Sequence, residues 1–157
     1  MPNQKFMRMA VKKALAGMKK GGGPFGACIV NEEGRVVACE GNSVVKGHSP
    51  VRHAEINAIE KACRKRKNHL LKNCTIYSTT EPCPMCFGAI HWAGIGKIVY
   101  GTEIKDAKKA GLRELCISAE RMKRMGKSRV KIMGGFLKEE AKTIFEEWRR
   151  LKGRVNY

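Results

Sequence analysis

The stretch CTIYSTTEPCPMC, residues 74–86, passes from one element of secondary structure to the next. Its β-branched first half, Cys74–Thr79, predicts a strand. The two prolines that follow favour an abrupt helix start. Cys83 and Cys86 lie three residues apart, so both can point at one ion from the first turn of that helix. The stretch therefore predicts two thiol ligands at a strand-to-helix corner.

A third ligand candidate lies upstream, in the sequence PVRHAE at residues 50–55. His53 opens a second helical pattern, Ala54–Cys63, so two helix N-termini are expected to converge. Their positive dipole ends favour thiolate over thiol. One His and two Cys are typical of a zinc site whose fourth position is left for water. Glu55 follows the histidine by two residues, where it can handle the proton of that water without binding the ion.

The rest of the chain alternates between helical and strand patterns. The predicted elements are a helix over 3–20, strands at Phe25–Val30 and Arg35–Cys39 joined by a turn at 31–34, a helix from Ala54, a helix through Phe87–Trp92, a strand at Lys97–Tyr100, a helical patch at Asp106–Leu115, a strand at Val130–Met133 and a helix at Leu137–Leu151. This alternation predicts an α/β fold of three layers, a mixed sheet of about five strands with helices on both faces. Ligands of such sheets bind beyond the strand ends, where both motifs fall.

Length and composition narrow the class of protein. The chain has 157 residues, and we expect one domain over residues 1–157. It lacks an apolar run of about 18 residues and an apolar signal sequence, so we predict a cytoplasmic protein without a membrane span. The seven cysteines are odd in number and irregularly spaced, which is unlike a disulfide framework.

The formal net charge of +18 leaves two interpretations open. The basic residues are spread along the chain in short runs, which are often solvated helix faces. A strongly basic chain is also typical of proteins that bind polyanions such as nucleic acid. Charge alone does not decide between them.

The two motifs together resemble the cytidine deaminase superfamily of zinc-dependent nucleobase deaminases, whose signature is H-x-E followed by P-C-x-x-C. Over nearly the whole chain the sequence is most similar to the bacterial-type guanine deaminases. The segments that carry this similarity are Gly23–Ala27, Asn42, His53–Glu55, Glu81–Cys86, Gly88–Ile90, Trp92, Phe145–Arg149 and Tyr157. The resemblance implies an enzyme that converts guanine to xanthine, built as a homodimer whose C-terminal tails, about residues 150–157, are exchanged.

The resemblance also implies roles for individual residues. His53, Cys83 and Cys86 would bind one Zn²⁺, while Glu55 and a second carboxylate, Glu114, would be catalytic. The residues it places against the purine substrate are Phe25, Asn42, Ala54, Trp92 and Tyr157, the last arriving from the partner subunit.

Simpler roles exist for several of these residues. Phe25 and Trp92 fit a hydrophobic core, Glu114 fits a surface ion pair with Arg113, and Tyr157 fits a frayed chain end. The sequence also departs from the guanine deaminases, which tend to place an aromatic residue and an acid before the second carboxylate. An arginine at this point is expected to change substrate specificity.

Other functions remain open at the level of sequence. A tRNA wobble adenosine deaminase has a similar size, zinc motif and basicity, and a cytosine or aminotriazine deaminase would share the motif. Cys83-Pro84-Met85-Cys86 alone would fit a redox pair, and a fourth ligand would turn the site into a structural zinc cage. A zinc-stabilised RNA-binding module is a further possibility, although such a module has no use for Glu55.

Overall fold

The computed structural model describes residues 1–157 as six helices and five strands. In chain order the elements are α1 Gln4–Met18, β1 Gly26–Val30, β2 Val36–Gly41, α2 Ala54–Arg66, β3 Thr75–Thr80, α3 Pro84–Trp92, β4 Lys97–Thr102, α4 Ile104–Lys109, α5 Ala119–Met125, β5 Lys131–Met133 and α6 Lys138–Arg150. None of the helices has the length and apolar character needed to span a bilayer.

All five strands form one sheet in the order β2, β1, β3, β4, β5. β1 is antiparallel to β2 and β3, whereas β4 is parallel to β3 and β5. The turn predicted at residues 31–34 joins β1 to β2, and Gly34 supplies its left-handed conformation with φ of 74°. The prediction of a mixed sheet of about five strands is confirmed.

Helices cover both faces of the sheet because successive residues of a strand point in opposite directions. Ala27 and Ile29 of β1 belong to the core cluster that includes residues of α2 and α3. Cys28 and Val30 of the same strand belong to a cluster with residues of α1. Helix α6 packs beside α1 and against β4. The three-layer arrangement predicted from the sequence is confirmed.

The region after β4 differs from the prediction. The helical patch expected over Asp106–Leu115 is wrong in its extent, because α4 ends at Lys109 and Gly111 adopts φ of 91°. Residues 112–118 then run without helix or strand until α5 begins. The sequence interpretation did not assign α5, although Ser118 caps it by accepting a hydrogen bond from the N–H of Arg121 at 3.2 Å.

The two motifs lie where helices begin. His53 is the N-cap residue of α2, and Cys83 is the N-cap residue of α3 with Pro84 at its first position. Strand β3 ends at Thr80, only a few residues before α3 starts. The fold therefore fixes both motifs at helix N-termini next to the end of a central strand, as the sequence predicts.

Candidate zinc and catalytic site

His53, Cys83 and Cys86 converge on one point, with their ligand atoms all within 4.8 Å of one another. The Nδ1 atom of His53 lies 3.6 Å from the Sγ of Cys83 and 3.5 Å from the Sγ of Cys86. A tetrahedral zinc ion with Zn–S of about 2.3 Å and Zn–N of about 2.1 Å separates sulfur and nitrogen by about 3.6 Å. The three side chains therefore fit zinc, and Nδ1 is the histidine atom that faces the ion.

No fourth histidine, cysteine or carboxylate joins this group. A structural zinc ion is almost always held by four protein ligands, whereas a catalytic ion keeps one position open. The arrangement is therefore that of an open site, and it does not fit the closed cage considered from the sequence.

The two thiols differ in their electrostatics. A hydrogen bond from Cys86, together with His53, lowers the pKa of Cys83 to about 4 despite its burial. The hydrogen bond to Cys83 and burial raise the pKa of Cys86. Cys83 also lies at the positive end of the α3 dipole, which stabilises a thiolate. The site thus supplies one thiolate near neutral pH before any ion binds.

Glu55 is the buried acid beside the three ligands, with only 5% of its surface exposed. Its Oε1 accepts a hydrogen bond of 2.8 Å from the Ser78 hydroxyl, and its Oε2 accepts one of 3.4 Å from the Cys86 thiol. Burial raises the pKa of Glu55. An acid held rigidly next to the ion, with a pKa moved toward neutrality, is suited to taking up and releasing protons.

Glu55 and two of the zinc ligands, His53 and Cys83, face a small cavity, which is also lined by Phe25, Thr80, Glu81 and Glu114. The cavity has a free volume of about 10 Å³, room for roughly one water molecule. The structure therefore brings Phe25 and Glu114 to the zinc site, as the resemblance implies, in a closed conformation.

Glu114 comes from the irregular segment 112–118 and lies half-buried against the cavity. Burial, followed by the charges of Cys83 and Glu55, raises its pKa from 4.5 to about 7. It forms no ion pair with Arg113 or any other residue. The carboxylate is therefore placed to exchange protons near neutral pH, and the surface ion pair does not account for it.

Glu81 holds the segment that carries Glu114. Its Oε1 accepts a hydrogen bond from the N–H of Ala119 at 2.9 Å, and its Oε2 accepts one from the N–H of Ile104 at 3.3 Å. These two N–H groups lie at the starts of α5 and α4, on either side of the segment. One buried carboxylate next to Cys83 thus fixes both ends of the chain that delivers the second acid.

Two polar side chains near the cavity have unused hydrogen-bonding atoms. The Oδ1 of Asn42 accepts hydrogen bonds from the N–H groups of Gly23 and Val44, but its buried Nδ2 has no partner. The buried hydroxyl of Tyr157 also has no partner. Both lie against Gly23, where a Cβ would collide with the tyrosine hydroxyl and lie 2.8 Å from Oδ1. Buried polar atoms without partners are uncommon and point to a ligand that satisfies them.

The C-terminal tail reaches this position within its own chain. The carbonyl of Tyr157 accepts a hydrogen bond of 2.8 Å from the N–H of Arg113. The indole N–H of Trp148 donates one of 3.3 Å to the Oδ1 of Asn156. The tail is therefore held beside the segment that carries Glu114, unlike a frayed end, and the exchange of tails between subunits stays a prediction.

The remaining candidates occupy different surroundings. Phe25 packs edge-on against Phe145, with ring centroids 6.0 Å apart, and forms a wall of the cavity. The side chain of Ala54 is fully buried in the core, so only its backbone at the start of α2 is available to a ligand. Trp92 is 79% exposed, touches His91 and does not line the cavity. The single chain therefore does not bring Trp92 to the site.

Known proteins share both the sequence and the fold. The family described as the cytidine and deoxycytidylate deaminase zinc-binding region matches residues 1–102. The guanine deaminase of Bacillus subtilis (strain 168) is 36% identical over 158 residues, covering 100% of both chains. A tRNA-specific adenosine deaminase of Buchnera aphidicola subsp. Schizaphis graminum is 35% identical, covering 86% of this chain and 93% of its own.

A solved structure of guanine deaminase from Nitrosomonas europaea superposes with a TM-score of 0.87 at 27% identity, covering 96% of this chain and 86% of that one. The family match includes the whole of the zinc site, and the structural match extends to the segments after residue 102. The chain is therefore a zinc-dependent hydrolytic enzyme and belongs to the cytidine and deoxycytidylate deaminase family.

Proposed function

We propose that this protein deaminates guanine hydrolytically, giving xanthine and ammonia. The observation that carries the proposal is the second buried carboxylate, Glu114, facing the same cavity as Glu55 and the zinc ligands. A relative that matches from end to end is a guanine deaminase, and solved guanine deaminases share the fold. Guanine presents two ring N–H groups and an exocyclic amine, all of which a carboxylate can bind or protonate.

Two acids divide the proton transfers in this scheme. Bound zinc supplies the activation of the attacking water. Glu55 takes a proton from that water as its oxygen adds to C2 of guanine, and passes the proton to a ring nitrogen. The bond from C2 to the exocyclic nitrogen then breaks. The hydroxyl on C2 gives its proton to a carboxylate as the carbonyl of xanthine forms, and a carboxylic acid protonates the departing amine so that it leaves as ammonia. Ser78 keeps Glu55 oriented during both transfers through its 2.8 Å hydrogen bond.

The purine would be recognised by groups that have no partner in the structure. The Nδ2 of Asn42 can donate to a ring acceptor, and the hydroxyl of Tyr157 can donate or accept. Phe25 offers a flat wall, and the backbone N–H of Ala54 lies at the start of α2. A substrate without the matching polar atoms would leave these groups buried and unpaired, which costs binding energy.

The closed cavity favours a free base over a base within a polynucleotide. Room for one water means that part of the surrounding chain must move before a purine enters. We infer that the tail, which lies beside Asn42, swings away and then closes over the base. A nucleoside in an RNA loop needs a path for its backbone, and the tail with Tyr157 occupies the space beside Asn42. A free base has no backbone, so the tail can close over it without leaving such a path.

Deamination of adenosine in tRNA is the second candidate. The net charge of +18 suits an RNA substrate, and several relatives are tRNA-specific adenosine deaminases. A probable cytosine deaminase of Schizosaccharomyces pombe, 33% identical over 141 residues, leaves a pyrimidine substrate as a further alternative.

One experiment separates these substrates. Zinc-loaded protein is incubated with guanine, adenine, cytosine, an aminotriazine and an anticodon stem-loop, and released ammonia is measured. We expect release from guanine alone. The variant Glu55→Gln, purified in the same way, controls for contaminating deaminases. Ammonia from the stem-loop and not from guanine would contradict the proposal.

The enzyme is proposed to work as a homodimer in the cytoplasm. An apolar groove between α3 and α5, lined by Phe87, Met122 and the 70% exposed Met125, lies beside the exposed Trp92. Apolar patches of this kind often mark contacts with another protein chain. Seven free cysteines suit a reducing compartment. Sedimentation analysis should give a dimer for the native protein and a monomer for Trp92→Lys, and a native monomer would refute the assembly.

A further inference from the structure

Positive charge is concentrated along three adjoining grooves beside the edge strand β2. The first groove is lined by Lys19 and Lys152, among other residues, and shares Gly22 with the second. The second contains Lys13, Lys20 and Lys46. It shares Glu40, Gly41 and Ser43 with the third, which contains Arg52 and Arg64. The grooves thus follow one another from the C-terminal tail past Asn42 to α2.

Most cations in these grooves have no counter-charge. The grooves contain two acids, and each is already paired, Glu40 with Lys61 and Glu60 with Arg64. Six further basic side chains form neither an ion pair nor a hydrogen bond; they are Lys13, Lys19, Lys20, Lys46, Arg52 and Lys152, all exposed. We call these six residues the cationic track.

Some basic groups elsewhere on the surface do meet acids. Arg8 pairs with Glu140, and Lys138 lies 2.9 Å from Glu103 and 3.5 Å from Asp106. Unpaired cations held next to one another repel, and this repulsion reduces the stability of the folded chain. A row of six cations that are not paired with acids is therefore costly to the fold unless a polyanion neutralises it.

We propose that the cationic track binds the phosphodiester backbone of a single-stranded nucleic acid. A recessed path of cations matches a flexible chain with one negative charge per nucleotide. A membrane surface is flat and would reach only the rims of the grooves. No exposed aromatic side chain lines the track, so binding depends on charge, is independent of sequence and weakens steeply with salt.

The proposal does not require a nucleic acid to be deaminated. It goes beyond the proposed function, because the track lies outside the closed cavity and none of its six residues lines that cavity. Nucleic acid would hold the enzyme without occupying the site, and free guanine would still be its substrate.

Salt dependence gives the quantitative expectation. Each cation that neutralises a phosphate of a single strand contributes about −0.7 to the slope of log K against log salt. Full engagement of six cations gives a slope of about −4. Anisotropy of a fluorescein-labelled 20-nucleotide single strand of mixed sequence, as RNA and as DNA, measures the binding constant between 50 and 300 mM salt.

The test compares two variants of equal net charge. The track variant replaces Lys13, Lys20 and Lys46 by Gln, and the control variant replaces Lys72, Lys127 and Lys131 by Gln. The control lysines are exposed, unpaired and outside all three grooves. We expect the track variant to bind the single strands roughly 10- to 100-fold more weakly and to lose about 2 from the slope. The control variant should bind nearly as the native protein does.

Each outcome decides the matter. An equal loss of affinity in both variants would mean that net charge alone binds the strands, and it would overturn the track. Binding to vesicles of phosphatidylserine without binding to the strands would also overturn it, in favour of a lipid surface. Ammonia release from guanine, measured on the same preparations, is expected to be unchanged in both variants. Failure of that activity in the native protein would refute the proposed function and leave the binding result standing.

Discussion

The site is built from two kinds of chain. The zinc corner, His53, Glu55, Cys83 and Cys86, lies entirely in the first turns or N-caps of α2 and α3. The closing segments, residues 111–118 and 152–157, carry Glu114 and Tyr157 and contain no helix or strand. Regular elements thus hold the three zinc ligands and Glu55, whereas irregular chain carries the second acid and the tyrosine. Chain with few backbone hydrogen bonds opens at low free-energy cost, so the closing segments can move while the zinc corner stays fixed.

Replacing the acid of the zinc corner should have the largest effect. Glu55→Gln keeps the hydrogen-bonding shape but cannot take up a proton, so we expect kcat to fall by about 10³-fold or more. Metal analysis should still find one zinc per chain, because Glu55 is not a ligand. Glu60→Gln, on the exposed face of the same helix, is the matched control. A zinc-loaded Glu55→Gln enzyme with normal turnover would remove the assigned role.

Replacing Glu81, which links the zinc corner to the segment that carries Glu114, should give the next largest effect. In Glu81→Gln one acceptor oxygen becomes an amide that faces an N–H group, so one buried hydrogen bond is lost and the 112–118 segment loosens. We expect kcat for guanine to fall roughly 10- to 100-fold. Glu120→Gln, an exposed acid on α5, serves as the control.

A double-mutant cycle tests whether Glu81 acts through Glu114. The double variant of Glu81→Gln and Glu114→Gln should be no slower than Glu114→Gln alone, because the positioned group is already gone. Fully additive losses would show that Glu81 acts on the zinc corner and not on the closing segments.

Shortening the tail should have a smaller effect than Glu55→Gln or Glu81→Gln. Deleting Asn156 and Tyr157 removes the contacts beside the cavity, and we expect KM for guanine to rise and kcat to fall by roughly 10-fold, with an unchanged circular dichroism spectrum.

Mixing this truncated protein with Glu55→Gln tests whether the tail completes the site of its own chain or that of a partner. The contacts within one chain predict no recovery of activity. Recovery would establish exchange of tails, since an intact tail would then complete the truncated chain's active zinc corner.

The last expected effect is on stability and not on catalysis. Because the pKa of Glu114 rises from 4.5 to about 7 on folding, the folded metal-free protein binds a proton that the unfolded chain has released. Its unfolding free energy therefore contains a contribution that is present at low pH and decreases as pH rises from 4.5 to about 7. Glu114→Gln has no such proton. Urea unfolding of both chains at pH 5 and pH 8 measures this contribution. Between the two pH values the native chain should lose unfolding free energy relative to Glu114→Gln. A difference independent of pH would mean that the carboxyl titrates normally.

The same contrast explains how far sequence carried the prediction. The zinc corner was predictable because its ligands are close in sequence to prolines and helical patterns that fix them locally. The sheet followed from alternating strands and the turn ending at Gly34. In both cases the signals in the sequence come from residues that are neighbours along the chain.

The closing segments depend on distant partners instead. Glu81 meets N–H groups 23 and 38 residues further along, which no local pattern announces. The break after Lys109 depends on the left-handed Gly111, which a helical charge pattern conceals. Whether Tyr157 serves its own chain or a partner has no sequence signal, because the same contacts would form in both cases. The position of Glu114 was implied by family resemblance and not by spacing.

The bond between Trp148 and Asn156 makes the protein its own optical reporter. Only two tryptophans are present, and Trp148 is almost fully buried while its indole is tied to the tail. In Trp92→Phe all indole emission would come from Trp148. Release of the tail would then expose that indole to water and shift its fluorescence to the red, so the rates of opening and closing could be read in a stopped-flow instrument without attaching a dye.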